Sequence, residues 1–361
     1  MAFGGPSPEH DVSIVTGLPT ARALAGAGKD VVGLYWSKVG SWHQVAPTLE
    51  AADFVDGVPR GAQELRLVLG DGGGFVTTGR RERDLAVDVV VNCCHGGPGE
   101  DGTFQGALDL AGIRYTGPDV AGAALGMDKL AFAGAAGAAG LPVLDRRLIT
   151  ASTTDVGFEG PYIVKPRFGG SSIGIRVVVD LATALGLVAS NPLLQRGAVI
   201  EPYRASLFDL NVAIRAWPDL ELSAVERPLR TSGSAEILGY HDKYVGGEGM
   251  ASAPRELPAR LSPSMAERVR TVALAVGRLA GVRGVARIDF LSDGHELYLN
   301  EVNTIPGSLA RYLWVDPPMP FVELLETMIE EAQARPTNRY SVAGADGTVL
   351  RGAGAIAAKL A

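Results

Sequence analysis

The stretch "EVNTIPG" (301–307) comes just after "ELYL" (296–299), so an apolar, alternating run ends in a carboxylate, an amide, a Thr, a Pro and a Gly. In "ARIDF" (286–290) alternation puts Arg287 and Asp289 on one face and Ala286, Ile288 and Phe290 on the other. In "ELYLNEVN" (296–303) it puts Leu299, Glu301 and Asn303 on a common face. Antiparallel pairing of these strands brings Asp289 toward Glu301. Close carboxylates repel and lose hydration, and a hard divalent cation shared with substrate phosphates relieves both costs. The alternative is an exposed hairpin with ordinary surface charges.

Three further constellations have chemical potential. "IVKPRFGGSSIGI" (163–175) ends a strand on Lys165 and enters a Gly- and Ser-rich loop. Such loops bring backbone N–H groups to phosphate oxygens. No "GK[ST]" follows, so this is not a Walker A loop, and a flexible hairpin tip is the plain alternative. "CCHGGPGEDG" (93–102) runs from an apolar strand into His95, two glycines, Glu100 and Asp101, at a strand end where α/β sheets collect ligands. A lone His is more often structural than catalytic, and its place at a strand end shifts that balance modestly. In "FGGPSPEHDVS" (3–13), Glu9 can open a helix whose N-terminus favours an anion.

The elements that must position these residues alternate along the chain. "DVVGLYW" (30–36) and "VDVVVNCC" (87–94) read as strands buried on both faces. "DGTFQGALDLAG" (101–112) reads as a helix opening on Asp and closing on Gly. "PYIVKP" (161–166), "IGIRVVV" (173–179) and "GAVIEPY" (197–203) read as strands. In "SPSMAERVRTVALAVGRLAG" (262–281), Met265, Val269, Val272, Val276 and Leu279 form one apolar helical face. Ser262 before Pro263 is its start signal. "SDGH" closes the hairpin of the metal-type residues. Past about residue 333 the pattern fades into a tail.

The chain has 361 residues, 47% hydrophobic and 20% charged, long enough for two or three domains with a sizeable core. A net charge of −7 without a Lys/Arg run argues against nucleic acid as the main partner. The two cysteines, Cys93 and Cys94, are adjacent, which excludes a disulfide framework and fits a reducing cytoplasm. "MAFGGPSPEH" lacks the basic start and apolar stretch of a secretory signal. The most membrane-like window, 120–143, is Ala/Gly-rich and interrupted by Asp128 and Lys129, so it reads as two short helices. No membrane partner is expected. No "GxGxxG" with a later acidic partner follows the first strand, which disfavours a nicotinamide dehydrogenase.

"GGPSPEHDVS", "HGGPGEDGTFQG", "MDK", "VKPRFGGSSIGI", "GYHDKY", "ARIDF" and "NEVNTIPG" occur in this order over roughly residues 3–330. Together they resemble the D-alanine–D-alanine ligases of the ATP-grasp superfamily. The resemblance implies an α/β (α+β) ATP-grasp fold with the nucleotide held between two sheets. It implies an N-terminal domain with a parallel sheet (1–117), a central subdomain (118–200), a C-terminal catalytic domain (201–333) and a tail (334–361). It makes Asp289, Glu301 and Asn303 ligands of the Mg²⁺ that accompanies ATP, with Mn²⁺ as a substitute.

By the same resemblance Lys129 and Lys165 bind phosphates. Glu201 and Tyr203 lie near the adenine and Asp209 near the ribose, although the Glu201–Asp209 spacing is one residue longer than usual. Glu9, Ser171 and Tyr244 form a bonded trio that places the first substrate beside His95. Lys243 comes from a closing loop (240–252) suited to shielding an acyl phosphate. Arg287 and the Gly307 N–H stabilise an oxyanion. Tyr244, rather than Phe, goes with an amide product. Amino acids, ATP and a second copy of the chain are the implied partners.

Two departures stand out. Only three residues precede the Gly-Gly turn, so the first strand is very short or the assigned start is late. Where the family has a Ser-Leu pair for the second substrate's carboxylate, this chain has "PGSLARYLW" (306–314), with Arg311 and Tyr312 as candidate ligands. Three readings follow: a D-alanine–D-alanine ligase of cell-wall precursor synthesis, an ATP-grasp ligase using another acceptor, or a non-catalytic ATP-binding module.

Overall fold

The structure, a computed structural model, describes residues 1–229, 254–335 and 340–353. Strand β1 (Ala2–Gly4) runs parallel to β2 (Gly33–Trp36). Beyond β2 the sheet continues antiparallel through β3 (Trp42–Val45), β4 (Gln63–Val68), β5 (Gly74–Thr77) and β6 (Arg83–Leu85). On its other side a parallel bridge from Ala2 to Asn92 leads to β7 (Val89–Val90), which is parallel to β8 (Arg114–Tyr115). The expected parallel sheet is therefore present as β2-β1-β7-β8. Its antiparallel extension is an addition to the sequence reading, made of short strands that expose one face.

Helix α1 (His10–Gly26) starts at Glu9 and buries Ile14, Leu18, Ala21 and Leu24 against Phe3, Leu309, Leu313 and Trp314. This packing seats the turn after Gly307 on the N-terminal helix. Helix α2 (Thr103–Leu110) follows the glycine-rich turn at residues 96–102. The apolar window 120–143 resolves into α3 (Val120–Met127) and α4 (Lys129–Ala138). Asp128 caps α4, accepting from the N–H groups of Leu130 and Ala131, and holds Arg167 at 2.5 and 2.8 Å. Among the described residues no helix is long and apolar enough to cross a membrane.

A second, antiparallel sheet has the order β11-β10-β12-β9, from β9 (Arg147–Ile149), β10 (Tyr162–Pro166), β11 (Arg176–Val178) and β12 (Ala198–Pro202). Its Tyr162, Val164, Ala198 and Ile200 pack with Ala184 of α5 (Leu181–Ser190). The opposite face presents Ile163, Lys165 and Glu201 to a cleft.

Across that cleft stands the third sheet, β15-β14-β13-β16-β17. It comprises β13 (Phe208–Arg215), β14 (Glu221–Pro228), β15 (Arg255–Glu256), β16 (Val285–Ser292) and β17 (Leu297–Asn303). Helix α6 (Pro263–Leu279) covers its far face. Met265, Val269, Val272 and Val276 pack there with Ala286, Ile288 and Phe290. Ser262 caps α6 by accepting from Met265 N–H, as its sequence suggests.

Candidate active site

The hairpin β16–β17 pairs Asp289 with Glu301 and Arg287 with Asn303. Arg287, Asp289 and Glu301 line the cleft between the second and third sheets. The register then breaks, because Phe290 pairs with Leu299 and leaves Asn300 as an extra residue in β17. This bulge reverses the parity of the strand. Leu299 consequently lies in the core with Val302, not on the face of Glu301 and Asn303 as uniform alternation predicts. The bulge also aims Asn300 into the site. Its side-chain oxygen accepts from Lys165 Nζ at 3.2 Å, and its backbone oxygen accepts from Arg146 Nη2 at 3.0 Å.

The cleft holds a buried charge network. Lys165 and Glu201 are diagonal neighbours on β10 and β12, since Lys165 pairs with Val199 and Ile163 with Glu201. Lys165 Nζ lies 2.7 Å and Arg146 Nε 2.5 Å from Glu201 Oε1. Burial, then the Arg146 charge, lowers Lys165 to about 8. Burial would raise the Glu201 carboxyl, but Lys165 and Arg146 outweigh it and hold it below its ordinary value. Glu201 is thus an internal counter-ion, and it also lines the cleft beside Tyr203. Arg146 further donates to Lys129 O at 2.6 Å.

This network carries a stability prediction. Glu201→Ala leaves two buried cations facing each other, a loss of about 3–5 kcal/mol for a broken buried pair. Urea unfolding of the variant reads this directly. An unchanged midpoint would mean that solvent already screens the cluster.

A smaller polar pocket adjoins the cleft, lined by Glu9, His95, Glu100, Ser171, Asn303 and Gly307 among others. Ser171 Oγ donates to Glu9 Oε1. Ser171 and Ser172 have φ of 52° and 59°, a left-handed conformation that non-glycine residues hold only under local constraint. Gly96 and Gly170 approach the Glu9 carboxylate from two sides. A Cβ on Gly170 would stand 2.9 Å from Glu9 Oε2, and one on Gly96 would overlap that same oxygen. A Cβ at either position would force the carboxylate to shift, and Gly96 is further favoured by its φ of 64°. Glu100 accepts from Gly96 N–H at 2.9 Å and Ile305 N–H at 3.0 Å. Burial, then the Glu9 carboxylate, raises its carboxyl to about 7.

Lys129 bridges the two cavities. Its Nζ lies 3.1 Å from Glu301 Oε2 and donates to Gly169 O at 2.5 Å. Arg287 grips Asp289 with two bonds of 2.6 and 2.7 Å, and Asn303 Nδ2 donates to Asp289 Oδ2 at 3.0 Å. Among the described residues no three His, Cys, Asp or Glu side chains form a metal-holding group. The set here is two carboxylates and an amide, all hard oxygen donors. That chemistry suits Mg²⁺ completed by phosphate oxygens.

Tyr203 and Asp209 also line the cleft. Arg311 does not turn inward. It is exposed and stacks on Phe321, 5.1 Å from its ring, so the expected role in holding a substrate carboxylate is corrected. Its position in the turn Gly307–Leu313 explains this, because Ser308, Leu309 and Ala310 are left-handed and rotate the following residue outward. Tyr312 instead faces the interior, with Arg255 4.9 Å over its ring. Its hydroxyl is buried beside Arg287, and burial pushes its pKa up. Lys243, Tyr244 and the loop 240–252 lie outside the described residues. Sequence reasoning missed Arg146 and Asn300. The only sequence signal for Asn300 is an amide, poorly suited to strands, within an alternating run.

Residues 1–118 match the family described as D-ala D-ala ligase N-terminus, and residues 143–330 match D-ala D-ala ligase C-terminus. A D-alanine–D-alanine ligase from Corynebacterium aurimucosum is 34% identical over 357 residues, covering 93% of this chain and 97% of that protein. The solved structure of VanG, a D-Ala:D-Ser ligase from Enterococcus faecalis, is 25% identical with a TM-score of 0.74, over 92% of this chain and 98% of that one. That of D-alanyl-alanine synthetase A from Vibrio cholerae is 23% identical with a TM-score of 0.76, over 92% and 97%. With nearly its whole length matched and this charge cluster between its two antiparallel sheets, the chain belongs to the D-alanine–D-alanine ligase family.

Proposed function

We propose that the chain is an ATP-dependent ligase that forms a D-alanyl-D-alanine-type dipeptide through an acyl phosphate, acting in cytoplasmic cell-wall precursor synthesis. One observation carries this reading. The large cleft and the small polar pocket share a wall of Lys129, Gly169, Gly170, Arg287 and Glu301. A nucleotide in the first cavity and a carboxylate in the second meet at that wall.

ATP lies between the two sheets, with Tyr203 and Asp209 toward its nucleoside and Lys129 and Lys165 on its phosphates. Glu201 and Arg146 hold Lys165 in place. Glu9 and Ser171 receive the amino group of the first amino acid. Its carboxylate oxygen attacks the γ-phosphorus, the bond to the β-phosphate oxygen breaks, and ADP leaves. The amine of the second amino acid then adds to the acyl carbon. Arg287 and the Gly307 N–H stabilise the resulting oxyanion. Phosphate departs with the C–O bond electrons and the amine loses a proton. Asp289, Glu301 and Asn303 would hold Mg²⁺, which supplies charge neutralisation to the transferred phosphoryl group. Mn²⁺ fits the same donors.

Phosphate release is the test. D-alanine alone is expected to support it, with D-alanyl-D-alanine identified by mass. A second reading, another acceptor, is favoured by Tyr312, whose ring and buried hydroxyl stand where the family has Ser. Release that requires a different D- or L-amino acid would establish it. No release with any of a panel of amino acids would leave an ATP-binding module without ligase activity.

A further inference from the structure

Three hydrogen bonds join helix α1 to the segment after β17. Ser308 N–H donates to Thr16 Oγ1 at 3.1 Å. Thr16 Oγ1 lies 2.9 Å from His95 Nε2, and His95 Nδ1 lies 2.7 Å from Ile305 O. Thr16 is 2% exposed and His95 3%. Elementary chemistry sets the directions. A carbonyl oxygen only accepts, so Nδ1 carries a proton. Thr16 Oγ1 already receives the Ser308 N–H, and its own proton needs an acceptor. A bare Nε2 provides one, whereas a charged ring would leave that proton without an acceptor in this set. Burial, which lowers His95 to about 4, keeps the ring neutral in agreement with this.

The bonds therefore run in one sense, from Ser308 through Thr16 and His95 to Ile305. They begin and end on the two residues that bracket Pro306 and Gly307. The segment they close leads directly into a strained turn. Ser308, Leu309 and Ala310 have φ of 51°, 49° and 51°, a left-handed backbone that non-glycine residues rarely adopt in succession. Such a turn persists only where its surroundings over-determine it. Thr16 holds the N–H of its first residue.

We propose that Thr16 is a positioning residue for the ligation step, holding Ile305–Ser308 through the neutral Nδ1–H tautomer of His95 so that the Gly307 N–H faces the small polar pocket. His95 itself, with both ring nitrogens engaged by protein, positions this segment. The catalytic consequence rests on the ligase reading; the tautomer does not.

The experiment compares the full chain with Thr16→Val, which keeps the shape and loses the hydroxyl, and Thr16→Ser, which restores it. Thr16→Val is expected to lower kcat by about 10- to 100-fold, the effect of a displaced group near the chemistry. KM for ATP should stay within about 2-fold, because Lys129 and Lys165 are untouched. Thr16→Ser should recover most of kcat. Nitrogen-15 NMR of the histidines at neutral pH should show His95 with Nδ1 protonated and Nε2 bare, the Nε2 signal moving in Thr16→Val. An Nε2–H or doubly protonated His95 in the wild-type chain overturns the proposal, as does unchanged kcat in Thr16→Val or a Thr16→Ser that stays as slow. If Thr16→Val does not fold, the wild-type tautomer and the Thr16→Ser rate still decide. If the chain ligates nothing, the ligase reading fails, and the wild-type tautomer alone decides whether the clasp exists.

Discussion

Glu301→Gln is expected to abolish turnover, by about a thousandfold or more, while leaving the fold intact. Gln keeps the shape of Glu and its hydrogen-bonding reach, so the hairpin register Asp289–Glu301 has no steric reason to change. The stability cost is small. The Lys129 side chain is 8% exposed and that of Glu301 22%, and Lys129 Nζ keeps its bond to Gly169 O when Glu301 is made neutral. The chemical cost is large, because a neutral amide cannot replace an anionic ligand to a divalent cation that it shares with phosphates. The decisive comparison is the rate against Mg²⁺ concentration. A metal ligand's loss is partly offset by excess Mg²⁺, whereas loss of a Lys129 anchor alone is not. Near-normal activity of Glu301→Gln at limiting Mg²⁺ would remove Glu301 from the metal set.

The hairpin that carries this prediction was readable because β16 alternates cleanly. Ala286, Ile288 and Phe290 enter the core, and Arg287 and Asp289 enter the cleft. Its partner strand was readable only as far as Glu301. One inserted residue at Asn300 flips everything before it, and no pattern of apolar residues marks such a bulge. Helix α6 was legible end to end, since its cap and its apolar face are local features. Strands β3–β6 were not singled out, because alternation over three to six residues in half-exposed strands is too short to distinguish from loop.

Arg146 illustrates a different limit. Nothing in "LDRRL" separates it from Arg147, yet Arg146 is 7% exposed and bonded to Glu201, Lys129 and Asn300, while Arg147 is exposed. Only the meeting of two sheets distinguishes them. Arg311 failed for the opposite reason. Its residue type suits a carboxylate, but the left-handed turn before it sends it to the surface.

Arg287→Lys tests whether geometry or charge governs the second chemical step. Arg287 is 8% exposed and engages both oxygens of Asp289 through a fork that Lys cannot reproduce. The fork fixes the guanidinium plane and leaves its remaining N–H groups in set directions. Lys conserves the charge near the phosphates, but its three donors sit on one freely rotating ammonium and cannot form the fork. The expected result is therefore selective. Acyl phosphate formation, trapped with hydroxylamine in the presence of ATP and D-alanine, should fall little. Dipeptide formation should fall by about 10²–10³, the effect of removing an oxyanion donor. The same carboxylate pairing makes the alternative explicit. If Arg287 mainly neutralises Asp289 and the transferred phosphate, Lys suffices for both steps and the rates stay near those of the native chain. If the fork is needed to align the metal set, hydroxamate and dipeptide fall together. Either of these two results would withdraw Arg287 from the oxyanion role and leave the Gly307 N–H as its sole candidate among the described residues.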